Sequence, residues 1–203
     1  LPTKVAELVA QGEPLQRGDI RAFGGLHIND RYMNVPPEVQ VEKLLDLGCG
    51  AGLVGIAAAK VLGEENVWMT DVDPAAVRCA AENAKRNGVE NVHLCCGDAL
   101  DAVDASGFDW ILSNPPYHAD FSVAKKFIEK GFNRLKLGGK LVMVVKRELW
   151  YRNKLTAIFG GVRMQEIGGY FVFTAEKRSE RYAPPNPKAP KTPPSASKKK
   201  RRA

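Results

Sequence analysis

The segment Asn114-Pro115-Pro116-Tyr117 has the residue types needed to hold a planar amine. The side-chain oxygen of Asn114 and the carbonyl of Pro115 can each accept one N–H bond of such an amine, and Tyr117 can stack on its plane. The prolines stiffen the segment and remove local N–H donors that would compete for the carbonyls. Because the lone pair of such an amine is delocalised, turning it towards an electrophile is the chemistry that this segment favours.

A glycine-rich loop upstream, Asp46-Leu47-Gly48-Cys49-Gly50-Ala51-Gly52, indicates a cofactor site. The dinucleotide fingerprint G-x-G-x-x-G is not met, because Leu53 stands at the third position, and no Gly-Lys-Ser/Thr follows as in a P-loop. Asp46 would repel a pyrophosphate but suits a cationic ammonium group. The loop therefore favours a nucleoside that carries an amino acid, and we predict S-adenosylmethionine (AdoMet) as the cofactor.

Two further acids follow the next two predicted strands. Asp71 lies 21 residues after Gly50, where a carboxylate can accept hydrogen bonds from both ribose hydroxyls. Asp98 follows the third strand and can accept a bond from the adenine amino group. Three acids at three consecutive strand ends, beside a glycine-rich loop, strengthen the prediction of an AdoMet site. Methyl transfer from its sulfonium to the amine is an in-line displacement, which depends mainly on positioning.

From residue 43 onwards, strand and helix signals alternate, which predicts a parallel α/β sheet with helices on both faces. A short amphipathic helix is predicted earlier, over 3–10, and short strand or loop pieces over 15–41. Gly168-Gly169 is a two-residue hairpin signal and predicts an antiparallel strand at the sheet edge. The predicted strands are 43–47, 66–71, 91–95, 108–113, 140–145, 162–167 and 170–175, and the later helices are 53–62, 74–87, 121–135 and 149–159.

Composition predicts one soluble, cytoplasmic domain with a basic tail. No apolar run is long enough to cross a membrane, and no signal peptide is visible. The four cysteines and three histidines show no metal-ligand spacing, so we predict no metal. Residues 176–203 hold ten of the 30 Lys and Arg residues and two of the 23 acids, so the rest of the chain is nearly neutral. The predicted regions are an N-terminal segment (1–40), a catalytic domain (41–178) and a disordered tail (179–203).

Four motifs together resemble the class I AdoMet-dependent methyltransferases that modify amines: the loop 46–52, Asp71-Val72-Asp73-Pro74, Gly97-Asp98 and the segment 114–117. His118, the run 137–145 and the run 147–160 are similar to the ribosomal RNA guanine-N2 methyltransferases of the small-domain family. The resemblance covers residues 26–177. It implies a Rossmann-like sheet of seven strands, mainly parallel, with an antiparallel last strand.

The resemblance also implies which residues bind cofactor and target. The expected AdoMet contacts are Asp46, Gly48, Cys49, Gly50, Asp71, Val72, Asp98, Ala99 and Asn114. The expected target-base contacts are Asn114, Pro115, Pro116 and Tyr117. The chain departs from the family pattern at His27, which stands where the family has an acid. We also expect no counterpart here of the second, degenerate methyltransferase domain that larger relatives carry ahead of this one.

The expected substrate is ribosomal RNA or a ribosomal subunit, bound by a monomer or homodimer. Basic residues flank the presumed active edge and are candidate RNA contacts, and the basic tail suits a sequence-independent RNA tether. Three alternatives remain open: a protein-glutamine N-methyltransferase of the release-factor type, a tRNA or DNA amino-methyltransferase, and a catalytically silent RNA-binding protein. The candidate RNA contacts are Lys125, Lys126, Lys146, Arg147, Arg152 and Lys154.

Overall fold

The computed structural model describes residues 43–116 and 121–183, which form a seven-stranded sheet flanked by four α-helices. The helix predicted over 3–10, the pieces over 15–41, His27, Tyr117, His118 and the tail from 184 onwards lie outside the described residues. In chain order the elements are β1 (Leu44–Leu47), α1 (Leu53–Leu62), a 3-10 turn (Glu64–Asn66), β2 (Val67–Asp71), α2 (Pro74–Arg86), β3 (His93–Cys96), β4 (Phe108–Ser113), α3 (Phe121–Arg134), β5 (Leu135–Val145), α4 (Glu148–Phe159), β6 (Arg163–Ile167) and β7 (Tyr170–Glu176).

The strand order is β3-β2-β1-β4-β5-β7-β6. The first five strands pair in parallel, and β7 is antiparallel to both of its neighbours, β5 and β6. The predicted mainly parallel α/β sheet with an antiparallel last strand is confirmed. The outermost strand is β6, because the Gly168-Gly169 turn pairs it with β7, and β7 itself pairs with β5.

The register of the sheet aligns the carboxyl ends of four parallel strands. Leu47 at the end of β1 lies opposite both Thr70 of β2 and Ser113 of β4. Asp71 at the end of β2 lies opposite Cys96 of β3. The chain therefore leaves β1, β2, β3 and β4 at one common edge, and the predicted site residues lie at these four strand ends or directly after them.

Helices cover both faces of the sheet, and each pair packs on its own apolar cluster. Ala80 of α2 and the small residues of α1 pack on one face with strand residues such as Val142. Phe127 of α3 and Leu155 of α4 pack on the other face, where Leu141 and other alternate strand residues point. This alternation along β5 is the period-two pattern of a strand buried on both faces.

The glycine pair Gly138-Gly139, a helix-stop signal shortly after the helix predicted over 121–135, does not end α3. The helix ends at Arg134, and β5 begins at once with Leu135. The pair forms an irregularity inside β5, where the register with β4 shifts and Gly138 has a φ of 81°. A Cβ on Gly139 would lie 2.6 Å from the Phe108 carbonyl oxygen. The glycines are therefore required by a close strand approach rather than by a helix stop.

No helix among residues 43–116 and 121–183 has the length and apolarity that a membrane crossing needs. The same residues contain no group of three or more His, Cys, Asp or Glu side chains that could hold a metal ion.

Helix α1 packs closely on β2 because residue 55 is glycine. A Cβ at Gly55 would lie 2.2 Å from the Met69 Sδ atom, and Met69 is fully buried. Gly131, in the interior of α3, offers a contrast, because its nearest neighbour would be the Leu141 Cδ1 atom at 3.7 Å, an ordinary contact.

We therefore predict opposite stability effects for two identical substitutions. Gly55→Ala lowers the free energy of unfolding by about 1–3 kcal/mol, because the buried methionine must shift. Gly131→Ala raises it by about 0.5–1 kcal/mol, through helix propensity and a less flexible unfolded chain. Urea denaturation of both variants checks this, and a stabilised Gly55→Ala protein would contradict the close packing of α1.

Candidate active site

The loop between β1 and α1 turns at the end of β2 and borders open space. The backbone N–H groups of Gly48 and Cys49 both donate to the Thr70 carbonyl at 2.9 Å. Gly50 has a φ of 54°, and a Cβ there would have no heavy atom within 4 Å. The loop is therefore fixed on its β2 side, while its Gly50 side leaves room for a ligand to approach the backbone.

Asp71 joins this loop to the start of α2. One carboxylate oxygen, Oδ2, accepts from the Gly50 N–H at 2.8 Å, and the other, Oδ1, accepts from the Asp73 N–H at 3.0 Å. Asp73 in turn caps α2 by accepting from the Ala75 N–H. A carboxylate oxygen has a second lone pair, so Asp71 keeps acceptor capacity for hydroxyl donors. The structure thus gives Asp71 a loop-shaping role that the sequence did not reveal.

Asp46 is a buried carboxylate beneath the loop. Its side chain accepts from the Gly55 N–H at 2.8 Å, and the residue is 3% exposed. Burial raises the pKa of Asp46 to about 7, the Gly55 bond works against this rise, and the charge of Asp71 adds to it. A neighbouring cation would favour the ionised form of Asp46, as expected of a group near a positively charged ligand.

Cys49 is buried within the loop. Burial raises the pKa of the Cys49 thiol, and the charges of Asp46 and Asp71 raise it further. A thiol in such surroundings stays protonated, so Cys49 is suited to packing and not to nucleophilic attack.

Asp98 lies after β3 and forms an ion pair with Lys126 of α3, with 2.6 Å between Oδ2 and Nζ. The hydrogen bond from Lys126 lowers the pKa of the Asp98 carboxyl, so this side chain is charged at neutral pH. Lys126 was a candidate RNA contact on sequence grounds, and the structure instead places it on an expected cofactor residue. The pairing joins residues 28 apart in the sequence, so no local pattern could have revealed it.

Two smaller expected cofactor residues flank these acids. Val72, directly after Asp71, is 65% exposed although it is apolar. Ala99, directly after Asp98, is buried with a φ of 57°, and its carbonyl accepts from the Thr70 hydroxyl at 3.3 Å. Thr70 therefore holds both the glycine-rich loop and the segment after β3, which brings the ends of β1, β2 and β3 together.

Asn114 follows β4, beside the glycine-rich loop. The Ser113 hydroxyl donates to the Leu47 carbonyl at 2.8 Å, which fixes the end of β4 to the residue just before Gly48. Asn114 and Pro116 are exposed and Pro115 is buried, while Tyr117 lies outside the described residues. The sequence predicted Asn114 for the site but missed Ser113, whose role is visible only from the pairing of β1 with β4.

Helix α3 contacts the loop as well. A Cβ on Gly48 would lie 3.2 Å from the Phe127 Cε2 atom, so the Phe127 ring packs against the first glycine of the loop. Together with the Lys126–Asp98 pair, this contact places α3 against two of the three strand-end segments. The fold thus gathers Asp46, Asp71, Asp98 and Asn114 at the carboxyl edge of the sheet, as the sequence predicted.

The sheet order and this edge define a class I methyltransferase fold. The T. thermophilus 16S rRNA N2 G1207 methyltransferase, solved in complex with AdoMet and guanosine, superposes with a TM-score of 0.65 at 28% identity, covering 73% of this chain and 40% of that chain. The family model described as methyltransferase small domain matches residues 32–174. The chain belongs to this family, and its cofactor is accordingly AdoMet.

Two curated relatives refine the comparison. The uncharacterised protein YbxB of Bacillus subtilis (strain 168) is 35% identical over 160 residues, which cover 76% of this chain and 78% of that protein. The ribosomal RNA small subunit methyltransferase C of Hahella chejuensis is 36% identical over 132 residues, covering 63% of this chain and 38% of that protein. The chain therefore spans about two fifths of the length of the ribosomal RNA methyltransferase.

The buried carboxylate gives a prediction for the pH dependence of stability. Because the pKa of Asp46 is raised from 3.8 to about 7, the folded protein binds more protons than the unfolded chain between these values, and stability falls as pH rises through that window. Asp46→Asn removes this titration and keeps an oxygen for the Gly55 N–H. We predict that the free energy of unfolding of the variant, measured relative to that of wild type, rises by about 1–4 kcal/mol as the pH is raised from 4 to 8.

Urea denaturation of both proteins across that pH range provides the measurement. The matched control is Asp109→Asn. The Asp109 carboxylate lies outside the site and pairs with Lys136. A wild-type-to-variant difference that is independent of pH would contradict a buried, titrating Asp46.

Proposed function

We propose that this protein transfers the methyl group of AdoMet to an exocyclic amine, most specifically to N2 of guanine in ribosomal RNA. The observation that carries the proposal is the Ser113–Leu47 hydrogen bond, which holds Asn114-Pro115-Pro116 beside the glycine-rich loop. Since in-line transfer depends on alignment, a rigid link between the cofactor loop and the amine-binding segment is what the reaction requires.

The residues present fit AdoMet, which supplies an electrophilic methyl group and carries positive charge. Gly50 presents backbone beside open space, and Asp71 retains acceptor lone pairs for the ribose hydroxyls. Asp98, charged and held by Lys126 through Oδ2, keeps Oδ1 for the adenine amino group, and the exposed Val72 offers an apolar contact to its ring. Asp46 contributes negative charge under the loop, towards the amino-acid end.

The roles of the target-binding residues follow from their chemistry. Asn114 accepts one N–H of the amine through its side-chain oxygen, and the Pro115 carbonyl accepts the other, so the nitrogen lone pair points at the methyl group. Tyr117 stacks on the base. No strong general base is needed, because the amine proton becomes acidic only after the new N–C bond has formed.

The choice of guanine and ribosomal RNA rests on the small subunit methyltransferase relative and on the solved 16S rRNA N2 enzyme. Action on ribosomal RNA would place the protein in the cytoplasm, with a ribosomal subunit or its RNA as partner. We propose that it acts there as a monomer or homodimer. Glutamine in a protein, or a base in tRNA or DNA, presents an amine of similar geometry. The test below separates these substrates.

The direct test is methyl incorporation from radiolabelled AdoMet. Naked 16S and 23S rRNA, 30S and 50S particles, bulk tRNA, DNA and release factors are each offered as acceptors, and the product nucleosides are resolved by mass spectrometry. We expect N2-methylguanosine in one rRNA. Transfer to protein, tRNA or DNA alone would overturn the proposal at the level of substrate, and no transfer to any acceptor would overturn it at the level of reaction.

Asn114→Ala separates target positioning from cofactor binding. We predict that kcat falls by about 10²–10³-fold, as for removal of one positioned hydrogen-bonding group at a reacting centre, while the AdoMet Kd from calorimetry changes by less than about threefold. Asn91→Ala is the control, because Asn91 bonds Glu64 at the start of β3, away from the site, and should leave both values unchanged. Undiminished turnover in Asn114→Ala would show that this side chain does not position the amine.

A further inference from the structure

The carboxyl edge of the sheet continues past Asn114 onto β5 and β7, where cations lie over aromatic rings. Register places this region next to β4: Ser113 is opposite Met143, and Val145, two residues further on, is opposite Phe171. Two strand spacings, roughly 10 Å, separate β4 from β7. We name this region the cation–aromatic surface, and it consists of Phe121, Lys146, Arg147, Leu149, Trp150 and Tyr170.

The rings and cations of this surface are arranged in stacks. Phe121 and Trp150 stack with centroids 4.2 Å apart and planes 14° from parallel. The Arg147 guanidinium carbon lies 5.3 Å from the Phe121 centroid, and the Lys146 Nζ atom lies 5.1 Å from the Tyr170 centroid. Both cations are exposed and the three rings are half-buried, so the surface presents charge and partial ring faces together.

Arg147 differs from three neighbouring cations, which form ion pairs with carboxylates of the protein. Lys126 pairs with Asp98, Arg152 with Glu148 and Lys154 with Glu129. By contrast, no carboxylate in residues 43–116 or 121–183 lies within ion-pair distance of Arg147. Two residues along, Leu149 is 71% exposed in the first turn of α4, so it adds an apolar side chain to this surface.

The surface has three features that a partner can use: cations, aromatic rings and an exposed aliphatic side chain. Unpaired RNA is the partner that uses all of them. Phosphates bind guanidinium and ammonium groups, splayed bases stack on aromatic and guanidinium planes, and an exposed aliphatic side chain contacts base or ribose faces. A base whose exocyclic amine is to be methylated must leave its stack and its pairing, which leaves its neighbours unstacked. A paired A-form helix offers its phosphates but not its base faces.

We propose that the cation–aromatic surface binds the unpaired nucleotides that adjoin the target base. The proposal rests on the proposed RNA substrate. It assigns substrate binding to the end of β5 and to α3, α4 and β7, on the other side of β4 from the cofactor residues of β1, β2 and β3. It also assigns five of the six candidate RNA contacts of the sequence: Lys146 and Arg147 bind RNA, whereas Lys126, Arg152 and Lys154 pair with carboxylates of the protein itself.

The first test compares RNA affinities of full-length variants. A fluorescent 20-nucleotide single-stranded RNA and a duplex of the same length are titrated by anisotropy at several salt concentrations. We expect Lys146→Met/Arg147→Met to weaken single-strand binding about 5–30-fold and to reduce the salt slope by about 1–1.5. The matched control is the double variant Lys60→Met/Lys85→Met, with the same charge loss in the last turns of α1 and α2. Equal losses in both double variants would overturn the proposal, since they would indicate non-specific charge.

The second test asks whether stacking contributes. Trp150→Leu should weaken single-strand binding about 5–20-fold with little effect on the duplex, and Trp150→Phe should restore most of the affinity. Photo-crosslinking with 4-thiouridine RNA should label Phe121, Trp150 or Tyr170. AdoMet Kd and thermal midpoint are measured on each variant to confirm the fold. Crosslinks confined to other parts of the chain, or stronger binding to acidic or glutamine-bearing peptides than to RNA, would overturn the assignment.

The experiments distinguish a wrong assignment of this surface from a wrong proposed function. Methylation of rRNA by wild type, with an unchanged RNA KM in the Lys146/Arg147 and Trp150 variants, would reject the surface and keep the function. Absence of methyl transfer to any RNA, together with selective loss of single-strand affinity in these variants, would reject the function and keep the surface.

Discussion

The hydrogen bond from the Gly55 N–H to the buried Asp46 carboxylate is the constraint on which the cofactor half of the structure depends. It forms because residue 55 has no side chain, so α1 can approach β2 until Met69 fills the space where a Cβ would lie. That approach fixes both ends of the glycine-rich loop, and Gly50 then meets Asp71. A carboxylate is costly to bury, and its raised pKa records this cost, which a cationic cofactor above the loop would offset.

The charge of the side chains at the carboxyl edge of the sheet changes from negative at one end to positive at the other. Asp46 and Asp71 lie at the ends of β1 and β2 and Asp98 follows β3, whereas Lys146 and Arg147 follow β5. The two proposed ligands require this division, because AdoMet is a cation and RNA is a polyanion. Two to four strand spacings, roughly 10–19 Å, separate the three acids from these cations. This exceeds the Debye length of about 8 Å at physiological salt, so solvent ions weaken the attraction of each ligand to the wrong end.

Local patterns in the sequence revealed most of the elements and the edge where the site lies. The predicted bounds of α1 and β4 match the structure because glycines and apolar periodicity mark them within a few residues. Contacts between distant residues were not visible: the Lys126–Asp98 pair, the Ser113–Leu47 bond, and the use of Gly138-Gly139 as a strand irregularity beside Phe108. Each depends on which strand or helix packs next to which, and a one-dimensional pattern does not contain that information.

Helix α3 connects the two halves of the edge. It begins after the segment 114–117 that we propose binds the target, its Phe127 ring packs on Gly48, and Lys126 pairs with Asp98. The same helix contributes Phe121 to the cation–aromatic surface through its stack with Trp150. A shift of α3 would therefore move the cofactor loop contact, the Asp98 carboxylate proposed to bind adenine and the rings proposed to bind RNA together. The packing of the Phe127 ring against the Gly48 backbone ties α3 to the cofactor loop, and such a tie favours the preorganisation that an in-line transfer between two separately bound molecules requires.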